Sequence, residues 1–341
     1  MEAALVQCNM EKARFPIFDL HCDLLSYLAH RSDPDAFTPE LGCSIPNLRR
    51  GNVRFQVMAI YNNVYADSAK MGLKQAEIFR DLAILHPDFF YLPKNNAQIQ
   101  KELDLHRTAL VAAIENAAGI ATEEMPIEQA FQNLEKILLA TRRILYISMT
   151  HHGENRFGGG NYTKAGLKED GKKLLDYING KNICIDLSHT SDALADGILD
   201  YIHQQKLNII PIASHSNFRE IWDHPRNLRD DTAKEIYAMG GLIGINFVRA
   251  FVDNDNADTL LNHIEYGLKL GGENQLTFGA DFFYTADHPD PTRVPFYHQE
   301  HEDASKYQGI LEQLSKRGIS KEQLEKLAYK NVFSFIDKLW A

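Results

Sequence analysis

Cysteine is scarce in this chain, and the four present (Cys8, Cys22, Cys43 and Cys184) form no C-x-x-C pair and no dense framework. That excludes a disulfide-stapled scaffold and a thiolate zinc finger. Isolated thiols of this kind behave as small apolar residues in a reducing compartment. Excess positive charge is also lacking. With 36 Lys and Arg against 46 Asp and Glu, the formal net charge is −10, and no basic block stands out. This argues against a nucleic-acid surface. No apolar run approaches the roughly 20 residues of a spanning helix. The first residues, with Glu2 and Glu11, hold no apolar signal-peptide core, and residues 335–341 are too short for an anchor signal. These absences predict a soluble, cytoplasmic protein with neither membrane nor nucleic acid as partner. No short repeat, low-complexity tract or linker divides the 341 residues. The expectation is a tail over 1–14 and a single domain over 15–341.

What is present begins with Ile17-Phe18-Asp19-Leu20-His21-Cys22-Asp23, an apolar run that ends in a His and an Asp two residues apart. In an extended chain, side chains at i and i+2 point the same way. His21 and Asp23 therefore face one side together and Cys22 the other. An imidazole and a carboxylate converging at a strand end make a corner for a divalent metal such as zinc. Taken alone, the pair is more often the mark of a hydrogen-bonded structural couple.

Further apolar runs follow at 53–61, 108–114, 144–150, 182–187, 208–213, 242–247 and 275–280, after a first at 16–21. Helical spacing covers 66–84, about 127–141, 168–179, 191–203, 231–239, 257–270, 302–317 and 320–338, and Ser320 with Gln323 forms a capping box. Residues 26–51 read as a polar, Pro-containing loop with short pieces in it. Eight strands mostly alternating with helices predict a (β/α)8 barrel of TIM type, and the near-continuous apolar runs fit strands buried on both faces.

In such a barrel the C-terminal strand ends share one rim, where active sites form. His21 and Asp23 close the first run, Glu115 the third, His151 the fourth, His189 the fifth, His215 the sixth and Asp281 the eighth. Singly each is more readily a structural residue, but jointly they point into one mouth. His21, Asp23, Glu115, His189 and His215 suit two zinc ions bridged by Glu115, a pair able to polarise a carbonyl and generate hydroxide at neutral pH. Asp281 is then a spare carboxylate that can hold the hydroxide's proton and pass it to a leaving amine. The reaction class is hydrolysis of an amide or a related polar bond.

In its ordered motifs the sequence resembles the membrane (renal) dipeptidase family of dinuclear zinc peptidases, in a soluble bacterial-type form. The resemblance rests on Asp19-Leu20-His21-Cys22-Asp23, Ile45-Pro46-Asn47-Leu48-Arg49-Arg50-Gly51, Ile147-Ser148-Met149-Thr150-His151 and Ile185-Asp186-Leu187-Ser188-His189. It continues through Ser214-His215-Ser216, Arg226-Asn227-Leu228-Arg229-Asp230-Asp231, Gly279-Ala280-Asp281-Phe282 and Glu302-Asp303-Ala304-Ser305-Lys306-Tyr307. It covers about 15–335. It implies one zinc site of His21, Asp23 and Glu115, and a second of Glu115, His189 and His215. It also implies His151 and Arg226 as substrate-binding residues, Asp281 as the acid/base, and a dipeptide as the substrate. A guanidinium fork at Arg226 can hold a terminal carboxylate bidentately.

The sequence departs from the family in two places near the mouth. Members commonly read Gly-x-Asp-Phe-Asp-Gly at the eighth strand, where this chain has Phe283 and Tyr284 in place of the second Asp and the Gly. The bridging Glu is usually followed by Gly, here Asn116. These changes keep two alternatives open. One is a catalytically weak or inactive metal-binding relative that binds a peptide-like ligand. The other is a hydrolase of N-acyl amino acids or lactones. Assembly is open between a monomer and a homodimer.

Overall fold

Strand Thr108–Glu115 shows how the barrel is built. Its residues alternate with period 2, sending Leu110, Ala112 and Ile114 to the layer shared with the helices and Ala109, Val111 and Ala113 to the barrel interior. Both faces are buried, which explains the near-continuous apolar composition. The same parity puts the side chain of Glu115, the last residue of the strand, on the interior side at the rim.

The computed structural model describes residues 14–288 and 290–341. The expected tail over 1–14 falls outside the described residues except for Arg14. Nine strands form one sheet: β1 (Ile17–Cys22), β2 (Val53–Tyr61), β3 (Phe90–Tyr91), β4 (Thr108–Glu115), β5 (Ile144–Ser148), β6 (Cys184–Asp186), β7 (Pro211–Ile212), β8 (Ile243–Ile245) and β9 (Leu276–Phe278). The order is β7-β6-β5-β4-β2-β1-β9-β8, with every pairing parallel, and β3 pairs beside the start of β4. The seam between β7 and β8 is closed by an Ala213–Ile243 bridge, with the Ala213 N–H donating to Leu242 O at 2.9 Å and the Gly244 N–H to Ala213 O at 2.8 Å. The result is an eight-stranded parallel barrel with helices outside, the (β/α)8 fold the alternation implied. The last helix, Asn331–Leu339, sets Val332, Phe335, Ile336 and Leu339 against the interior cluster and plugs one end. Among the described residues no helix is long and apolar enough to cross a membrane.

Several boundaries differ from the sequence reading. The stretch read as a polar loop, 26–51, carries most of the helix Leu24–His30 and the whole of Ile45–Gly51. Each has only seven residues, too short for a periodic signal. Strand β3 was not anticipated, being two residues long. Strands β6 to β9 are two or three residues each, shorter than their apolar runs, because the flanking apolar residues leave the ladder to form rim loops. The final helix is interrupted by a π-turn over Lys326–Lys330.

Candidate metal centre

Four of the site residues follow a common spacing. His151, His189, His215 and Asp281 each lie three residues beyond the end of β5, β6, β7 and β9, whereas His21 and Glu115 are still within β1 and β4. Two of the loop residues take a left-handed backbone that non-glycine residues rarely adopt, His189 at φ 67° and Asp281 at φ 64°. Strain of this kind is held only where surrounding structure over-determines it. Buried carboxylates do that here. Asp186 accepts the N–H groups of Ser188 at 3.0 Å and Ser214 at 2.8 Å, tying the turn before His189 to the one before His215. Asp19 accepts the N–H of His21 at 2.9 Å and that of Ala280 at 2.9 Å, tying β1 to the turn before Asp281. In β1, a register irregularity between Asp19 and Cys22 lets both Leu20 and His21 face inward, while Cys22 joins the helix-side core.

The strand ends bring seven predicted residues to one place. His21 Nε2 lies 3.4 Å from Glu115 Oε2, 3.6 Å from Asp23 Oδ2 and 3.6 Å from Asp281 Oδ1. On the other side of the same carboxylate, His189 Nε2 lies 3.0 Å and His215 Nε2 3.4 Å from Glu115 Oε1, and the two nitrogens are 3.0 Å apart. Ligands bound at about 2.0–2.2 Å around a tetrahedral zinc are separated by roughly 3.4 Å. The distances from His21 to Asp23 and Glu115, and those among Glu115, His189 and His215, are near that spacing, with one Glu115 oxygen on each side.

Proton positions support the fit. Tyr146 donates its hydroxyl proton to Leu20 O at 2.9 Å, so its oxygen accepts from His21 Nδ1 at 2.7 Å. The Ser214 hydroxyl donates to Asp186 Oδ2 at 2.6 Å and accepts from His215 Nδ1 at 2.6 Å. Asn161 Oδ1 accepts from His189 Nδ1 at 3.3 Å. With each Nδ1 carrying the proton, all three Nε2 lone pairs aim at the centre, the arrangement metal-bound imidazoles need. Two lone pairs 3.0 Å apart repel unless a cation lies between them. His21 Nε2 and Asp23 Oδ1 are buried without a hydrogen-bond partner. Burial pushes His189 and His215 well below the ordinary imidazole range, so both are neutral and able to ligate. Burial works the same way on His21, but Tyr146 and Glu115 outweigh it and raise its pKa well above normal. The carboxylates thus call for positive charge at this point, and the donor set fits a divalent cation.

The acid/base candidate stands beside this centre. Burial lifts the Asp281 carboxyl to about 7; His21 opposes the rise, and the charges of Asp23 and Glu115 add to it. Asn246 donates to Asp281 Oδ2 at 2.8 Å, leaving Oδ1 turned toward His21. Phe283 and Tyr284 do not displace this carboxylate. The Tyr297 hydroxyl donates to Asp281 O at 2.5 Å, and the Phe283 N–H donates back to the Tyr297 oxygen at 3.2 Å.

Above the centre opens a cavity of about 490 Å³, with Glu115, His189 and Asp281 on its floor and His151 in its wall. Arg226 lies elsewhere. It does not line the cavity but is buried behind His215, donating through Nη1 to Ser216 Oγ at 2.7 Å and through Nη2 to His215 O at 2.8 Å. The loop carrying it folds back onto the β7 end, where the Leu228 N–H meets Asn217 O at 2.8 Å. Among the described residues Arg226 has no carboxylate partner, and its Nε is unpaired.

Sequence reasoning missed the supporting residues. Tyr146, Asn161 and Asn246 sit outside any motif, and their partners are remote in sequence. His152 was also missed, although it adjoins His151. Its Nδ1 shares the Asn161 oxygen at 2.9 Å, and with His151 and His189 it forms one cluster of candidate ligand atoms, beside those of His21, Glu115 and His215 and of His21, Asp23 and Asp281. Asp19 and Asp186 carried a signal in the repeated Asp-Leu that precedes both His21 and His189.

Comparison with known proteins shows the family and the fold. The family model described as membrane dipeptidase (peptidase family M19) matches residues 7–339. An uncharacterized dipeptidase of Schizosaccharomyces pombe is 24% identical over 348 aligned residues, covering 93% of this chain and 79% of its own. The dipeptidase verJ of Clonostachys rogersoniana is 24% identical over 284, covering 80% and 66%. Among solved structures, an M19 metallopeptidase termed dipeptidase AC superposes with TM-score 0.82 at 19% identity, covering 96% of this chain and 99% of that one. A metallopeptidase from Rhodobacter sphaeroides, liganded with a phosphinate mimic of L-Ala-D-Ala, gives TM-score 0.78 at 18% identity, covering 96% and 100%.

Proposed function

The chain belongs to the membrane dipeptidase family and is a metallo-dipeptidase, and from that premise we propose that it hydrolyses dipeptides at a two-zinc centre. His21, Asp23 and Glu115 would hold one ion, and Glu115, His189 and His215 the other. The observation that carries this reading is the convergence of three Nε2 lone pairs on the two oxygens of a single carboxylate, with each Nδ1 proton committed elsewhere. When bound, such a pair supplies a hydroxide nucleophile at neutral pH and a Lewis acid for the scissile carbonyl.

The chain's own groups do the rest. Asp281 Oδ1 accepts the proton of the attacking water and returns it to the leaving amine, while Asn246 holds the other oxygen in place. His151, kept neutral by burial, faces the dipeptide from the cavity wall. Arg226 is the cation assigned to the substrate's terminal carboxylate, and to reach it the guanidinium would have to turn from Ser216 Oγ and His215 O toward the cavity. The charges of Asp281, Asp186 and Glu115 offset only part of the cost of burying this guanidinium, and a substrate carboxylate would add to that offset. A chain ending one residue beyond the scissile bond is thereby favoured over longer peptides. Retention of Asp281 beside the ligands supports an active enzyme over an inactive ligand-binding relative.

Elemental analysis of protein purified without chelator should give near two zinc equivalents per chain. Chelation should abolish turnover of a panel of L,L- and L,D-dipeptides, and zinc should restore it. Metal content near zero after supplementation overturns the zinc reading.

A further inference from the structure

The wall of the cavity opposite the metal ligands is built by the loop where this chain departs from its family. Tyr284 packs on Tyr27 with ring centroids 4.8 Å apart, and the Arg31 guanidinium lies over both rings, at 5.2 Å and 5.7 Å. Arg31 is also ion-paired to Asp287, so its charge is already answered. Phe283 meets Phe296 edge-on at 5.2 Å. Over the Phe296 ring, at 5.1 Å, lies the guanidinium of Arg293, which also lines the cavity. Among the described residues Arg293 makes no ion pair and no side-chain hydrogen bond. The nearby Asp290 carboxylate is turned to its own loop, accepting from the Thr292 N–H at 2.9 Å and hydroxyl at 2.6 Å. Arg293 is half-buried and lines the cavity together with His151 and His152.

Besides the ion-paired Arg31, the cavity is lined by a second arginine, Arg293, whose guanidinium lies over the Phe296 ring and which among the described residues makes no ion pair. A planar guanidinium presented this way suits a carboxylate. The reading of the site as a dipeptidase uses Arg226 for the terminal carboxylate and leaves Arg293 without a task. Resting on that reading, we propose that Arg293 selects dipeptides bearing a second carboxylate, on the side chain of one of the two residues. The aromatic pair Phe283 and Tyr284 takes part by closing the wall on which Phe296 and Arg31 are held, so the departure at the eighth strand end redirects specificity instead of removing activity.

The test compares kcat/KM of the zinc-loaded enzyme for Ala-Asp against Ala-Asn and for Asp-Ala against Asn-Ala, with Ala-Ala and its C-terminal amide as references. In at least one pair the acid should exceed its amide isostere by about tenfold, the effect of one charge-assisted contact at a half-exposed site. Arg293→Gln should bring that ratio close to one, and Arg293→Lys should keep part of it. Because each ratio is taken within one protein, a general loss of folding or metal cancels. Calorimetric titration with aspartate and asparagine as product ligands should show the same preference and the same loss, without turnover. Acid-to-amide ratios of one in the native enzyme, or ratios unchanged in Arg293→Gln, overturn the proposal. So does loss in Arg293→Gln of the discrimination between Ala-Ala and its amide with the acid preference intact, since Arg293 would then read the terminal carboxylate. If no peptide, Ala-Ala included, is turned over, the dipeptidase reading fails and this proposal with it.

Discussion

The phenol of Tyr146 decides which nitrogen of His21 is free. Its oxygen lies 2.7 Å from His21 Nδ1 while its proton goes to Leu20 O, so Nε2 is left as the lone pair facing Asp23 and Glu115. Partners of this kind typically tune metal affinity by about 10–100-fold. Tyr146→Phe should therefore weaken one zinc site by about that factor and spare the site of His189 and His215. Titration of bound metal against a graded chelator distinguishes the two. Equal loss from both sites would mean that Tyr146 acts through the fold.

Asp281→Asn should lower kcat by about 10²–10⁴-fold, the usual contribution of a positioned proton carrier, with metal content and melting temperature close to those of the native protein. The amide keeps the shape and can still meet Asn246, but cannot hold the proton. Wild-type kcat on the best dipeptide would show that another group moves it.

Arg226→Lys should erode the preference for free dipeptides over their C-terminal amides. In the native enzyme that preference is expected at about 1.5–3 kcal/mol in kcat/KM, the range of a hydrogen bond to a charged group. Lys keeps the charge but loses the fork that spans Ser216 and His215. Equal discrimination in both proteins would remove Arg226 from carboxylate recognition.

His263 predicts a pH dependence of stability outside the active site. It is buried, accepts the Phe218 N–H at Nδ1 (3.3 Å) and donates from Nε2 to Val252 O (3.1 Å). Burial pushes its pKa from 6.5 down to about 4. The unfolded chain therefore takes up a proton before the folded one. The stabilisation is complete above pH 6.5 and is lost as the pH falls toward 4. The full effect is about 3 kcal/mol. Melting temperature should fall less steeply over that interval in His263→Asn than in the native protein. Parallel curves would exclude the assignment.

Gly279→Ala tests the barrel seam. A Cβ there would lie 1.9 Å from Ser214 O and 3.2 Å from Gly244 Cα, both backbone atoms that cannot swing aside. The cost should be at or above the 1–3 kcal/mol range typical of overpacking, about 3 kcal/mol. Because Ser214 precedes His215, zinc occupancy should fall as well. Native stability with full occupancy would show that the seam can open without moving His215.

The amino-acid sequence by itself determined the barrel and which ligand-type residues meet at its rim. Two-sided burial makes parallel strands read as apolar runs, and the fold places their C-terminal ends on one rim, so His21, Asp23, Glu115, His151, His189, His215 and Asp281 could be gathered by position alone. The short helices near residues 24–51 and the two-residue β3 were beyond it, because segments that small are stabilised by packing and not by their own pattern. Only the tertiary structure decided which histidines lie nearest each oxygen of Glu115 and how Tyr146, Ser214 and Asn161 orient the imidazoles. It also showed that Arg31 is paired with Asp287 while Arg293, among the described residues, makes no ion pair. Those relationships join residues up to 256 positions apart, as Arg31 and Asp287 are. Hydrogen bonds and ion pairs of that span depend on distances that exist only once the barrel has closed.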